Sequence, residues 1–154
     1  MQRLLFSIHI NAPVERVWNV LWGEATYGQW VAPFGDGMRA VSDWQVGSRV
    51  HFLSPEGDGM YSIIDRKEEH AFMGFTHLGL VLDGQELPTD VEAREWAGSR
   101  EAYALQENHG GTDLSLMVDI RREDAPSLTQ LVPEALGIVR VLAELRKTHP
   151  FEFN

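Results

Sequence analysis

Six histidines, a Glu-x-Tyr pair and scattered serines are the side chains in this sequence that could carry metal, acid–base or nucleophile chemistry. The histidines are His9, His51, His70, His77, His109 and His149. No two stand four apart, and none sits in a compact ligand motif, so no metal centre and no cofactor are expected. His9 alternates with apolar neighbours and should point outward. His70 and His109 fall in turns, and His149 follows the last helix. His51 and His77 lie on strand-like segments and could face the interior. Glu101 and Tyr103, two apart on a strand, share a face. Buried together they would form an acid–base pair, because burial raises a carboxyl pKa toward neutrality. The plainer arrangement places Glu101 at the solvated strand end and Tyr103 in the core, and the sequence favours it. Phe75 and His77 share a face in the same way. Turned inward, that imidazole would be a hydrogen-bond handle for a ligand carbonyl or carboxylate; turned outward, it has no role. Serine catalysis finds no Gly-x-Ser-x-Gly elbow. The glycines at 35, 37, 57 and 59 lack the attached helix and Lys-Ser/Thr of a phosphate loop.

The balance of charge excludes other classes. Lys plus Arg number 13 against 23 Asp plus Glu, giving −10 in 154 residues. Such a surface repels phosphate and anionic lipid, so neither nucleic acid nor a membrane surface is an expected partner. No apolar run reaches the ~20 residues that span a bilayer. The first residues are too short and too interrupted for a signal sequence, and a cytoplasmic protein is expected. Cysteine is absent, which removes disulfides, thiolate metal sites and thiol nucleophiles. A composition 44% hydrophobic and 23% charged is that of a folded domain, and the length fits one domain over residues 1–154.

The elements that must position these side chains read as follows. Phe6, Ile8 and Ile10 alternate with Ser7 and His9, giving a strand over 3–10. Val14, Val17, Trp18 and Leu21 recur at helical spacing, giving a helix over 13–22. A second short helix follows over 25–30. Strand-like segments occupy 38–43, 47–53, 59–67 and 71–78, separated by turn residues. Residues 79–98 lack clear periodicity and read as a long surface loop, with a helical turn near 89–95. Two strands, 100–107 and 112–121, flank Asn108-His109-Gly110-Gly111, a hairpin signal. A final helix should span 126–148, capped by Asp124 and kinked at Pro133 unless its regular part begins there. Its polar stripe of Arg140, Glu144 and Lys147 is narrow. The apolar remainder must be wrapped by the sheet, face a cavity, or meet a partner, including a second copy of the chain. Strands joined by short turns form an antiparallel meander, and a curved sheet around one long helix buries both apolar faces.

Several segments carry a family resemblance. They are Ile10-Asn11-Ala12-Pro13-Val14-Glu15-Arg16-Val17-Trp18, Trp30, Val46-Gly47-Ser48-Arg49-Val50-His51-Phe52, and Phe75-Thr76-His77-Leu78-Gly79. Further along come Asp83-Gly84, Trp96, Glu101-Ala102-Tyr103-Ala104-Leu105, Gly110-Gly111-Thr112-Asp113-Leu114 and Leu131-Val132-Pro133-Glu134-Ala135-Leu136. Together they resemble the helix-grip superfamily of the birch pollen allergen and the START lipid-transfer domains. Within it they are similar to the small bacterial relatives of the activator of the heat-shock-protein-90 ATPase. The resemblance implies an α+β helix-grip fold: a curved antiparallel sheet of about six to seven strands around a long C-terminal helix, with two short helices after the first strand. It also implies an apolar cavity between sheet and helix. The eukaryotic activator carries a separate N-terminal chaperone-binding domain, whereas this sequence opens at the first grip strand, so chaperone stimulation is not expected.

Placed on that fold, the aromatic residues become the main functional signal. There are five tryptophans and seven phenylalanines. Trp18 should be plain core. Trp30, Phe52, Phe75, His77 and Tyr103, with Leu128, Leu131 and Ala135 of the final helix, are the expected ligand-binding residues. The mouth should lie near the 54–59 turn, residues 79–98 and Trp30. An apolar wall with one or two polar groups is what a small-molecule site needs. The expected function is binding of a small apolar or amphipathic ligand without assigned catalysis. A chaperone-regulator interaction module and a cyclase- or hydratase-like enzyme are the alternatives.

Overall fold

The computed structural model describes residues 1–88 and 96–145. Strand β1 (Gln2–Ile10) leads into α1 (Val14–Trp22) and α2 (Glu24–Trp30), followed by a 3-10 turn at Ala32–Phe34. Next come β2 (Arg39–Val41), β3 (Arg49–Leu53), β4 (Gly59–Glu68), β5 (Phe72–Leu82) and the short β6 (Gln85–Glu86). The hairpin β7 (Arg100–Asn108) and β8 (Gly111–Ile120) precedes a 3-10 turn at Arg122–Asp124 and the long helix α3 (Ala125–Leu145). The sheet order is β1-β8-β7-β5-β4-β3-β2, every pairing is antiparallel, and β6 adds to β5. This is the α+β helix-grip architecture.

Period and turn chemistry explain most of it. In β1 the inward residues Phe6, Ile8 and Ile10 pair with Leu116, Leu114 and Thr112 of β8. At the β7–β8 turn both His109 (φ 54°) and Gly110 (φ 81°) take positive φ, the conformation that matches strand twist in a two-residue hairpin. On α3, Val132, Ala135, Leu136, Val139 and Ala143 are buried, and the helix packs on α1, α2 and β1. Burying a side chain such as Val139 or Leu21, both fully enclosed, contributes about 1.5–3 kcal/mol. Asp124 sits in the preceding 3-10 turn and accepts a hydrogen bond from Arg121 at 2.9 Å, and Pro133 lies inside the helix. Glu144 of the polar stripe accepts from the Asn11 backbone N–H at 2.8 Å, while Val141 and Leu145 stay exposed.

The expected loop over 79–98 is in part a strand. β5 continues to Leu82, turns at Asp83–Gly84 and returns through β6. A bulge interrupts the strand's alternation. Tyr61 pairs with Gly79 but Ser62 pairs with His77, so Leu78 is an extra residue on β5. A bulge reverses the parity of a strand, and the alternation that marks it in sequence is broken. Gly79 is required there, because a Cβ would stand 2.8 Å from the Tyr61 ring. The helical turn expected near 89–95 and the helix beyond 145 lie outside the described residues.

Candidate functional site

A cavity of about 540 Å³ lies between the inner face of the sheet and the N-terminal half of α3. Among the expected ligand-binding residues, Trp30, Phe52, His77, Tyr103, Leu128 and Ala135 line it. Phe75 and Leu131 do not. Phe75 is fully buried behind the wall, its ring edge-on to Phe52, Trp22 and Tyr103. On α3 the inward positions are Val132 and Leu136, and Leu131 is half-buried off the wall. Gly59 and Trp96 bring the segments expected at the mouth into the lining.

The aromatic wall is fixed from below. Trp30 Nε1 donates to the Leu21 carbonyl at 3.0 Å, tying the end of α2 to α1 while the ring stays in the cavity. Tyr27 stacks edge-on against Trp30 at 5.4 Å, and Trp30 against Tyr103 at 6.2 Å. Such aromatic contacts stabilise by about 0.5–1.5 kcal/mol beyond the area they bury.

Three polar side chains converge in this apolar setting. Glu101 lines the cavity, which corrects its expected place in solvent. The start of β7 is not a solvated end. Residues 96–99 fold against β5, with His77 N–H donating to the Ser99 carbonyl at 2.9 Å and Gly98 N–H to the His77 carbonyl at 2.8 Å. One Glu101 carboxylate oxygen lies 3.2 Å from His77 Nε2, and the other accepts the Tyr103 hydroxyl. His77 is therefore not a lone imidazole. Its Nδ1 meets Ser62 Oγ at 2.6 Å, and Ser62 is fully buried. With the Nε2 proton aimed at the carboxylate, the Ser62 hydroxyl is left to donate to Nδ1 when the ring is neutral. Ser62 does not reach the cavity, so it orients His77 and offers no nucleophile.

Burial opposes the charge on Glu101. The hydrogen bond and nearby charge of His77, then the Tyr103 hydrogen bond, outweigh that penalty and hold the carboxyl below its ordinary range. The charge in turn adds to burial in pushing the hydroxyls of Tyr103 and Tyr27 upward. The cavity thus contains a fixed anion with two protein donors.

The remaining histidines lie elsewhere. His51 occupies the opposite face of β3 and meets Glu86 at 2.8 Å, outside the cavity. His9 pairs with Asp113 on the exposed face at 2.7 Å. His149 is outside the described residues. Among the described residues no three His, Cys, Asp or Glu side chains assemble into a metal site, and no helix is long and apolar enough to cross a membrane. A second, smaller cleft lies between Trp22 and Trp44, where Trp22 Nε1 is buried without a hydrogen-bond partner among the described residues.

No protein-family model matches this sequence, and no curated protein matches it significantly. Solved structures do. The solution structure of the Aha1 dimer from Colwellia psychrerythraea aligns with TM-score 0.67 at 16% identity, over 93% of this chain and 97% of that one. A crystal structure of a Mesorhizobium loti protein aligns with TM-score 0.72 at 16% identity, over 96% and 98%. The AHSA1-like protein from Aeromonas hydrophila aligns with TM-score 0.65 at 17% identity, over 95% and 94%. At these identities the likeness is one of fold, and the fold is that of the Aha1-like proteins, the architecture implied by the Ala-Pro helix after β1 and the long final helix.

Proposed function

We propose that this protein binds a small apolar or amphipathic molecule in the cavity between the sheet and α3. The observation that carries the reading is the cavity itself. Its 540 Å³ falls within the range of about 300–1,000 Å³ typical of small-molecule sites, and its wall is largely apolar with a few convergent polar groups. Trp30, Phe52, His77, Tyr103, Leu128 and Ala135 are the proposed contacts, joined by Glu101. The proposal places the protein in the cytoplasm. A homodimer is part of the proposal, supported by the Aha1 dimer among the structural neighbours. Chaperone stimulation is not part of it.

The experiment is a titration with a neutral apolar dye that fluoresces in non-polar surroundings. Saturable binding of one dye per chain is expected. Leu128→Trp and Ala135→Phe, which fill the cavity, should abolish it while thermal unfolding stays cooperative. Undiminished binding in both folded variants would overturn the reading.

A second reading, acid–base catalysis, is favoured by the convergence of Glu101, His77 and Tyr103. It is the weaker of the two, because a carboxylate already stabilised by two donors is a poor proton acceptor.

A further inference from the structure

We propose that the ligand of this cavity is an amine: a primary or secondary ammonium group on an apolar aromatic or alkyl body, its charge set against Glu101. The inference rests on the cavity reading above and adds the chemistry of the head group.

Three observations carry it. First, Glu101 lines the cavity as a carboxylate with acceptor capacity to spare. Of about four acceptor positions on a carboxylate, His77 and Tyr103 occupy two. Second, among the described lining residues the one cationic neighbour of that charge is the titratable ring of His77, Nε2 at 3.2 Å. No lysine lies among the described lining residues, and the arginine there, Arg121, bonds Asp124 at 2.9 Å. Asp119, also in the wall, bonds Arg3 at 2.8 Å. Among the described residues Glu101 is met by the His77 ring and the Tyr103 hydroxyl, neither of them a permanent cation. Third, the rings of Tyr27, Trp30, Phe52, Trp96 and Tyr103 surround the space. Aromatic faces attract cations and do so more strongly where water is excluded. A ligand carboxylate in the same place would meet Glu101 as a like charge at low dielectric. Burial and, after it, the Glu101 charge displace the Tyr27 and Tyr103 hydroxyls upward, the second cause being the same repulsion felt by the protein's own groups.

The test uses the full chain at pH 8 and three ligands that differ only in the head: 2-(1-naphthyl)ethylamine, 2-(1-naphthyl)ethanol and 1-naphthylacetate. Affinities are read by displacement of the neutral dye. The amine is expected to bind roughly tenfold tighter than the alcohol and about a hundredfold tighter than the carboxylate, as one charge-assisted hydrogen bond gained or one repulsion added would give. Glu101→Gln, which keeps the shape and loses the charge, should cut the amine-to-carboxylate ratio to below about tenfold. The ranking in the wild-type protein stands without the variant, should the variant fold poorly. An amine that binds no tighter than the carboxylate, or a preference that survives in folded Glu101→Gln, would overturn the inference and leave the cavity reading intact. Failure of the neutral dye and all three ligands to bind would overturn both.

Discussion

His77 and Glu101 stand diagonally across neighbouring strands β5 and β7, Nε2 to carboxylate oxygen at 3.2 Å, with both side chains largely shielded from water. A buried charge is tolerated only when paired and hydrogen-bonded, and here the Tyr103 hydroxyl completes the set. The site's electrostatics follow from this one contact, and so do most of the tests below.

The stability due to Glu101 should depend on pH in one direction. Its folded pKa lies below the ordinary carboxylate value, because donors from His77 and Tyr103 outweigh burial. A depressed carboxyl contributes stability that is present above the unfolded pKa of about 4.3 and is lost as pH falls through the folded value. The stability gap between wild type and Glu101→Gln should narrow below about pH 4. Denaturant melts at a series of pH values read the gap directly. A gap that widens on acidification would show that the folded carboxyl is instead raised.

Tyr103→Phe removes one of the two donors while keeping the ring. Glu101 should then titrate at a higher pH than in the wild type, because one of the interactions that lowers its pKa is gone. Carbon-detected NMR of the Glu101 side-chain carboxyl follows the titration. The variant should lose about 1–3 kcal/mol of stability, the cost of a hydrogen bond to a charged group. An unmoved Glu101 titration would mean that the hydroxyl does not bond the carboxylate in solution.

Ser62→Ala tests the far end of the same chain of contacts. Ser62 Oγ is the partner of His77 Nδ1, and both residues are buried, so the deletion leaves a ring nitrogen unsatisfied. A loss of about 1–2 kcal/mol is expected. Dye binding should persist, since Ser62 does not line the cavity. Faster exchange of the His77 Nε2 proton than in the wild type would show that the serine also holds the imidazole orientation.

What could be read from the sequence depended on whether local period survived into the fold. β1, the two short helices and the β7–β8 hairpin carry uninterrupted alternation, helical spacing or a Gly-Gly turn, and all were legible. The Phe75–His77 shared face was legible for the same reason. His77 reaches the cavity, while Phe75 is one layer deeper, because Trp22 and Tyr103 pack edge-on against its ring. Ser62 could not be found, since its position opposite His77 depends on the bulge at Leu78. Glu101 carried a usable signal in the Glu-x-Tyr spacing. Its burial depends on residues 96–99 folding back onto β5, which no local pattern announces. The extension of β5 to Leu82 was hidden by the same bulge.

Trp30→Phe separates the anchoring of the aromatic wall from its area. The indole N–H binds the Leu21 carbonyl at 3.0 Å, a contact between the end of α2 and the end of α1, and phenylalanine keeps an aromatic ring but offers no donor. Leu21 is fully buried, so its carbonyl has no nearby water to replace the bond. A stability loss of about 1–3 kcal/mol is expected from the unsatisfied carbonyl. Tyr27 and Tyr103, both edge-on to the Trp30 ring, lose their orienting neighbour as well. Dye affinity should therefore fall by more than the lost ring area accounts for, and amide exchange should quicken across α2 while β7 and β8 stay protected. Unchanged exchange in α2 would show that helix packing alone holds the wall in place, and that the indole hydrogen bond contributes nothing to the shape of the cavity.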